Sequence, residues 1–173
     1  AGLLIAPHGI FVDRDGNVYV SGVSGSTDFP TVNAAQPALA GGTDFVALKL
    51  SASGALVYST YVGGTSFELF ADGMAVDATG AAHITGQPIS QNYPTTAGAW
   101  DTTCGTLGTC NGGFDGVVTK IAPAGNSFAY STYVGGSNND FATDVDVDLA
   151  GSAFVAASTA RSIAAASPRS TQW

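Results

Sequence analysis

Charge is scarce in this chain: only 10% of its 173 residues are Asp, Glu, Lys or Arg. Lys and Arg number 5 against 13 acidic residues, for a net charge of −8. That balance excludes the basic footprint that nucleic acid or an anionic membrane surface requires. Glutamate is almost missing, Glu68 standing alone beside 12 Asp. Asp suits turns where Glu suits helices, so a turn-rich chain is expected. No apolar run approaches the roughly 20 residues that span a bilayer, which argues against membrane insertion. Residues 2–6 are apolar but too few, and no basic flank marks them as a signal peptide. The chain therefore reads as a mature form or an excised fragment.

Cysteine occurs twice, at Cys104 and Cys110. Such a close pair reads as a local disulfide across a small loop. Two free thiols, or a metal site, are the alternatives, and the latter lacks the nearby His of a zinc set. A disulfide implies an oxidising compartment. Low Lys with abundant Ser, Thr and Gly points the same way, toward a secreted or cell-surface location.

What the chain does have is a repeat. Tyr58-Ser59-Thr60-Tyr61-Val62-Gly63-Gly64 returns letter for letter at Tyr130–Gly136, 72 residues on. Recurrence at a fixed period signals a repeat architecture. Short β-branched and aromatic runs flank Asp13-Arg14-Asp15-Gly16-Asn17. These predict a hairpin, with Gly16 and Asn17 supplying the positive φ of a tight turn. Related hairpins follow over 74–86 and 145–157. The spacing from Asp13 to Asp77 is 64 residues and from Asp77 to Asp148 it is 71. Each of the first two hairpins leads into an aromatic-Pro-Thr loop, at Phe29-Pro30-Thr31 and Tyr93-Pro94-Thr95. The second loop is the longer by seven residues, the length of the segment from Cys104 to Cys110. A loop insertion closed by its own disulfide is the simplest reading. A third strand, Phe45–Leu50 or Gly116–Ile121, then precedes the fourth, which carries the repeated motif. Asp44 and Asp115, ahead of the third strands, are expected to cap loop amides.

Four short antiparallel strands per unit is the pattern of a β-propeller blade. The predicted fold is all-β, a single partial propeller of about two and a half blades over 1–173. Blade one spans about 10–63, blade two about 74–134 and a half blade about 144–158. An irregular tail fills 159–173, its Ala-rich stretch near Ile163–Ala166 lacking helix signals.

The Tyr-Ser-Thr-Tyr-Val-Gly-Gly run, the Asp-Phe-Val-Ala-Leu-Lys-Leu before it, the Val-Asp-x-x-Gly hairpin and the Phe-Pro-Thr loop together resemble the bacterial SBBP repeat, a "seven-bladed beta-propeller" repeat. The resemblance covers roughly residues 8 to 158. It implies secreted or cell-surface bacterial proteins, often multi-domain, with no common enzymatic activity and no catalytic residues to carry over. The third unit departs from the family pattern in lacking its third and fourth strands.

A ring of two and a half blades cannot close alone, and open faces and edges favour association. Self-association into a ring is the expected outcome. Membership of a longer propeller, or an open two-sheet stack capped by Leu3-Leu4-Ile5 and the tail, are the alternatives.

Candidate chemistry is thin. Asp13, Asp15 and Asn17 place oxygens at alternate positions before a glycine, as in a calcium loop, but without a downstream Glu. A plain turn is the preferred reading. Asp140, Asp144, Asp146 and Asp148 form a second acidic group, and strand alternation puts Asp144, Asp146 and Asp148 on one face. Either solvent or a cation must relieve that repulsion. Ca2+ is thus the single cofactor candidate. His83 lies in a strand where the other units carry Val18 or Ala153, and a packed histidine is preferred to a ligand-binding one. Neither His83 nor His8 sits in a nucleophile-elbow context. Glu68 reads as an exposed linker residue. Trp100 stands at the position of Gln36, beside the cysteines, as a candidate contact for a sugar or protein. The function expected is a non-catalytic module for structural assembly or for recognition of protein or carbohydrate. The alternative is a hydrolase with inner-strand Asp and His residues at the channel mouth.

Overall fold

The computed structural model describes residues 6–105, 110 and 114–159. Its regular elements are ten β-strands, all paired antiparallel. β1 (Ala6–Val12), β2 (Val18–Ser24), β3 (Asp44–Leu50) and β4 (Leu56–Val62) form one four-stranded sheet in chain order. β5 (Glu68–Val76), β6 (Ala82–Pro88), β7 (Gly116–Ile121) and β8 (Phe128–Val134) form a second. β9 (Asp140–Val147) and β10 (Ala153–Thr159) make a two-stranded third. The fold is all-β, built of propeller-type blades. The strands of the half blade begin at Asp140 and end at Thr159, and blade one begins at Ala6. The stretch Ile163–Ala166 and the Leu3-Leu4-Ile5 cap lie outside the described residues.

Each first hairpin is closed the same way. Gly16 N donates to Asp13 O, Gly80 N to Asp77 O and Gly151 N to Asp148 O. The three glycines adopt φ of 78°, 82° and 83°, a left-handed conformation that costs glycine nothing. Asn17 stays in the ordinary region.

Within a sheet, alternation sends side chains to opposite faces. In blade one, Phe11, Tyr19, Phe45, Tyr58 and Val62 face blade two. Met74, Ala82, Ile84, Val117, Ile121 and Tyr133 of blade two face back. Most of these join the principal core, which also takes in Tyr93 and Cys104, while Phe11, Tyr19, Val76 and Ala82 form a smaller cluster beside it. Phe45 meets Tyr93 edge-on, with ring centroids 5.9 Å apart. The core therefore lies between blades, and each unit needs a neighbour to bury its face. The inner strands β1, β5 and β9 run side by side.

Register corrects two alignments. Tyr19 pairs with Lys49 and His83 with Lys120. His83 thus stands at the position of Tyr19, and of Phe154 in β10, one place on from Val18 and Ala153. In the long loops, Gln36 O accepts from Tyr61 N, and Asp101 O from Tyr133 N. Gln36 therefore corresponds to Asp101, and Trp100 to Ala35. One of the added residues enters before Asp101, outside the disulfide-closed segment.

Candidate functional site

Three groupings carry the polar chemistry. The first surrounds His83 in blade two. Asp77 caps its own turn, Oδ1 accepting from Thr79 N at 2.8 Å, Thr79 Oγ1 at 2.6 Å and Ala81 N at 3.2 Å. Its Oδ2 receives Lys120 Nζ at 2.7 Å and His83 Nε2 at 3.3 Å. Burial opposes ionisation, but the hydrogen bonds from Lys120, Thr79 and His83 outweigh it and hold the Asp77 carboxyl well below its usual range. A carboxylate only accepts, so Nε2 carries the imidazole proton. Burial keeps His83 neutral, lowering its pKa. Nδ1 therefore accepts from the Tyr130 hydroxyl, 2.9 Å away. His83 is fully buried. The hydrolase alternative called for inner-strand Asp and His residues together, and among the described residues the carboxylate that meets His83 is Asp77. The arrangement orders a blade interior.

The second grouping is a carboxyl pair that the sequence reading missed. Glu68 opens β5 and is 0% exposed, which overturns its reading as an exposed linker residue. Its backbone N–H donates to Thr43 O in blade one, at 2.9 Å. Burial first, and then the neighbouring Asp44 carboxyl, push Glu68 up to about 8, against hydrogen bonds from Ser90 and Gly64 N. Its Oε2 has no hydrogen-bond partner among the described residues. Asp44, also 0% exposed, accepts from Gln36 Nε2 at 2.7 Å, Ala40 N at 2.9 Å and Gly41 N at 3.3 Å. It caps loop amides as expected, and burial raises its pKa. The next interface repeats the design. Asp115 and Asp140 are buried at the matching positions, and Asp140 N donates to Phe114 O. Burial, followed by the charge of Asp140, raises the Asp115 pKa against a hydrogen bond from Gly105 N. The signal was present in the sequence: the repeat offset from Glu68 lands on Asp140.

The third grouping comprises the acidic residues proposed for Ca2+. Asp13 Oδ1 accepts from Asp15 N and Asn17 N, at 3.0 and 2.9 Å. Its Oδ2 accepts from Asn17 Nδ2 at 2.8 Å and Tyr19 OH at 3.2 Å. Asp13 and Asn17 thus bond each other as a turn. Asp148 caps Ala150 N at 2.9 Å and Ser152 N at 2.8 Å. It lies past the end of β9 and does not share the strand face of Asp144 and Asp146, because the turn claims it. Asp144 and Asp146 are exposed on β9, opposite Ala156 and Phe154. Among the described residues, no three His, Cys, Asp or Glu side chains come together as a metal site.

Cys104 and Cys110 are joined in a disulfide, as expected. Cys104 is buried in the principal core. Trp100 is 58% exposed in the same loop. His8 lies exposed on β1, away from the His83 grouping.

The half blade leaves a surface open. β2 pairs along its length with β3, and β6 with β7. β10, their equivalent, pairs only with β9 among the described strands. A shallow cleft of about 290 Å³ there is lined by Asp144, Val145, Asp146, Phe154, Val155 and Ala156.

Comparison with known proteins returns a family match. The SBBP family, described as a beta-propeller repeat, matches residues 4–30, which hold β1, β2 and the start of the Phe29-Pro30 loop. No curated protein matches the chain. The same hairpin recurs at Asp77 and Asp148 and the sheets stack blade on blade, so the match at residues 4–30 is to the first of the repeated units.

Proposed function

We propose that the chain is a non-catalytic, secreted or cell-surface propeller module that works by structural assembly or by recognition of a protein or carbohydrate. One observation carries this reading: the polar interior is spent on holding blades together, while whole blade surfaces stand open. His83 and Asp77, the residues most suited to chemistry, are buried and mutually satisfied. The exposed large apolar side chains include Ile10 and Val12 on β1 and Phe154 on β10. The Cys104–Cys110 disulfide supports an oxidising location. Trp100 offers a flat apolar contact of the kind sugars and proteins use.

The test pairs a binding screen with an activity screen. Glycan and protein arrays are probed with the wild type and Trp100→Ala, and sedimentation reports self-association. The same samples are assayed on ester, peptide and glycoside substrates. Association or binding without turnover supports the module. Turnover that disappears in His83→Ala overturns it.

A further inference from the structure

Each inner strand carries a bulge at the same place. In β1, Pro7 pairs with Gly22 and Gly9 with Ser21, so His8 is the added residue. In β9, Ala142 pairs with Ala157 and Asp144 with Ala156, and Thr143 is added. In β5, Phe70 pairs with Gln87 and Gly73 with Thr85, which leaves one residue too many on β5. His8, Asp72 and Thr143 thus hold one position, just ahead of Gly9, Gly73 and Asp144. A bulge bends its strand and re-aims a side chain. The backbone device repeats, while the side chain it presents changes from imidazole to carboxylate to hydroxyl.

Blade two builds on its bulge what blade one does not. Where blade one pairs Ala6 with Val23, blade two pairs Phe70 with Gln87. Residues paired across strands share a face of the sheet. Gln87 is 3% exposed, an amide buried where blade one has a valine. Its Nε2 donates to Asp72 Oδ2 and, at 3.4 Å, to Ala142 O of β9. Packing of a blade does not require this amide, since Val23 fills the same place. The amide holds the Asp72 carboxylate on the side where the Phe70 ring stands 49% exposed.

The neighbouring strand adds a third group. A Cβ on Gly73 would lie 2.7 Å from Asp144 Cα, so the two inner strands touch. Asp72 and Thr143, one residue back on each, are therefore abreast. Thr143 donates its hydroxyl proton to Ala156 O at 3.3 Å, which leaves its oxygen to accept. Asp72 forms no ion pair with a described Lys, Arg or His. Together these groups offer a carboxylate, a hydroxyl oxygen and an open ring face, with the donors of Gln87 and Thr143 already committed. An ammonium group is the complement: it donates three hydrogen bonds, accepts none and favours the face of an aromatic ring. A saccharide needs donors as well as acceptors. The net charge of −8 also draws a cation toward the chain.

We propose that the Phe70, Asp72 and Thr143 surface of the inner strands binds the ammonium group of a lysine side chain presented by a protein partner, with Gln87 as a positioning residue. This rests on the recognition reading above and names the chemistry of its partner.

The test is a titration of the isotope-labelled full chain with a capped Gly-Lys-Gly peptide, followed by amide chemical shifts. The expected shifts are saturable and cluster at Phe70–Gly73, Gln87 and Ala142–Asp144. Asp72→Asn, which keeps an acceptor for Gln87, weakens binding at least about tenfold, the worth of a charge-assisted hydrogen bond. Phe70→Ala weakens it about threefold, as an exposed ring–cation contact would. Gln87→Val also weakens it, although the carboxylate and the ring both remain. Its side chain is one that blade one already accommodates, so it serves where Asp72→Asn fails to fold, as circular dichroism will show. Asp15→Asn removes the same charge from an exposed turn and changes binding by less than about twofold, since screening confines the effect of a distant charge. Three results overturn the proposal: no saturable shifts at these amides, equal shifts with the Nε-acetylated peptide, or equal weakening by Asp15→Asn. Shifts there with methyl glucoside in place of the peptide overturn the choice of ligand. A failed titration leaves the array and sedimentation outcomes standing, whereas turnover lost in His83→Ala overturns the broader reading whatever the peptide does.

Discussion

In blade one, Asp13, Tyr19, Lys49 and Tyr58 occupy the register positions that Asp77, His83, Lys120 and Tyr130 hold in blade two. In blade two the four form one connected network, running Lys120–Asp77–His83–Tyr130. In blade one the chain of contacts breaks. Tyr19 donates to Asp13, Lys49 moves over the Tyr19 ring at 4.9 Å, and the buried Tyr58 hydroxyl has no partner among the described residues. Imidazole has two ring nitrogens and joins neighbours on both sides, whereas a phenol has one polar atom, at its tip. A single exchange, histidine for tyrosine, thus decides whether a blade's polar interior is continuous. The blade covered on both faces holds the continuous one.

The two blade interfaces differ as well, and the largest expected effect sharpens that contrast. At the first interface, folded Glu68 keeps its proton up to about 8, against an ordinary value of 4.5. Between those values the unfolded chain has lost a proton that the folded chain retains. Stability therefore falls as pH rises through this window, by up to about 1.4 kcal/mol per pH unit, and levels off above it. Glu68→Gln flattens the slope more than Asp115→Asn does at the second interface, as urea midpoints from pH 5 to 9 will show. The lowered pKa of Asp77 acts in a separate window, its stabilisation being present above 3.8 and lost in more acid solution.

Removing Asp77 breaks the continuous network. Asp77→Ala strands Lys120 and His83 and costs about 3 kcal/mol, as for a buried pair that loses one member. Asp13→Ala, in a more open turn, costs about 1 kcal/mol. Equal losses at the two positions would mean that the network adds nothing.

The disulfide is another asymmetry, since blade one has no counterpart. It closes a short loop, with a sequence separation of 6. Reduction, or Cys104→Ser with Cys110→Ser, lowers stability by about 2 kcal/mol on loop-entropy grounds. The smallest contrast compares two hydroxyls. Tyr130→Phe removes the partner of His83 Nδ1 and costs about 1 kcal/mol, whereas Tyr58→Phe removes an unpartnered hydroxyl and is neutral or slightly stabilising. Thermal midpoints of the paired variants read this directly.

The repeat, the four-stranded units and the disulfide were legible in the sequence because each is written locally, in a recurring motif, a glycine turn or a close cysteine pair. What was missed depends on the neighbouring blade or on register. Glu68 reads as linker by its own surroundings, and only the packing of β5 against the Thr43 end of blade one buries it. Irregular pairing hides register: the partner of β9 slips between Ala156 and Ala157, and β5 slips twice between Glu68 and Gly73. Alternation counted along the sequence put Asp148 on a strand face because it does not show that β9 ends at Val147, where Asp148 begins the turn it caps. The one-place error at His83 has a similar origin, since cross-strand pairing with Lys120, and not similarity of residue type, fixes its counterpart as Tyr19.

Residue-resolved hydrogen exchange of the native chain tests most directly the central claim that blades hold one another. β6 is buried throughout, whereas β10 is exposed along most of its length. The account predicts that amides of β6 and β7 exchange only through global unfolding. Those of β10 exchange through local opening at least a hundredfold faster, with β1 between them. Protection of β10 equal to that of β6 would contradict it.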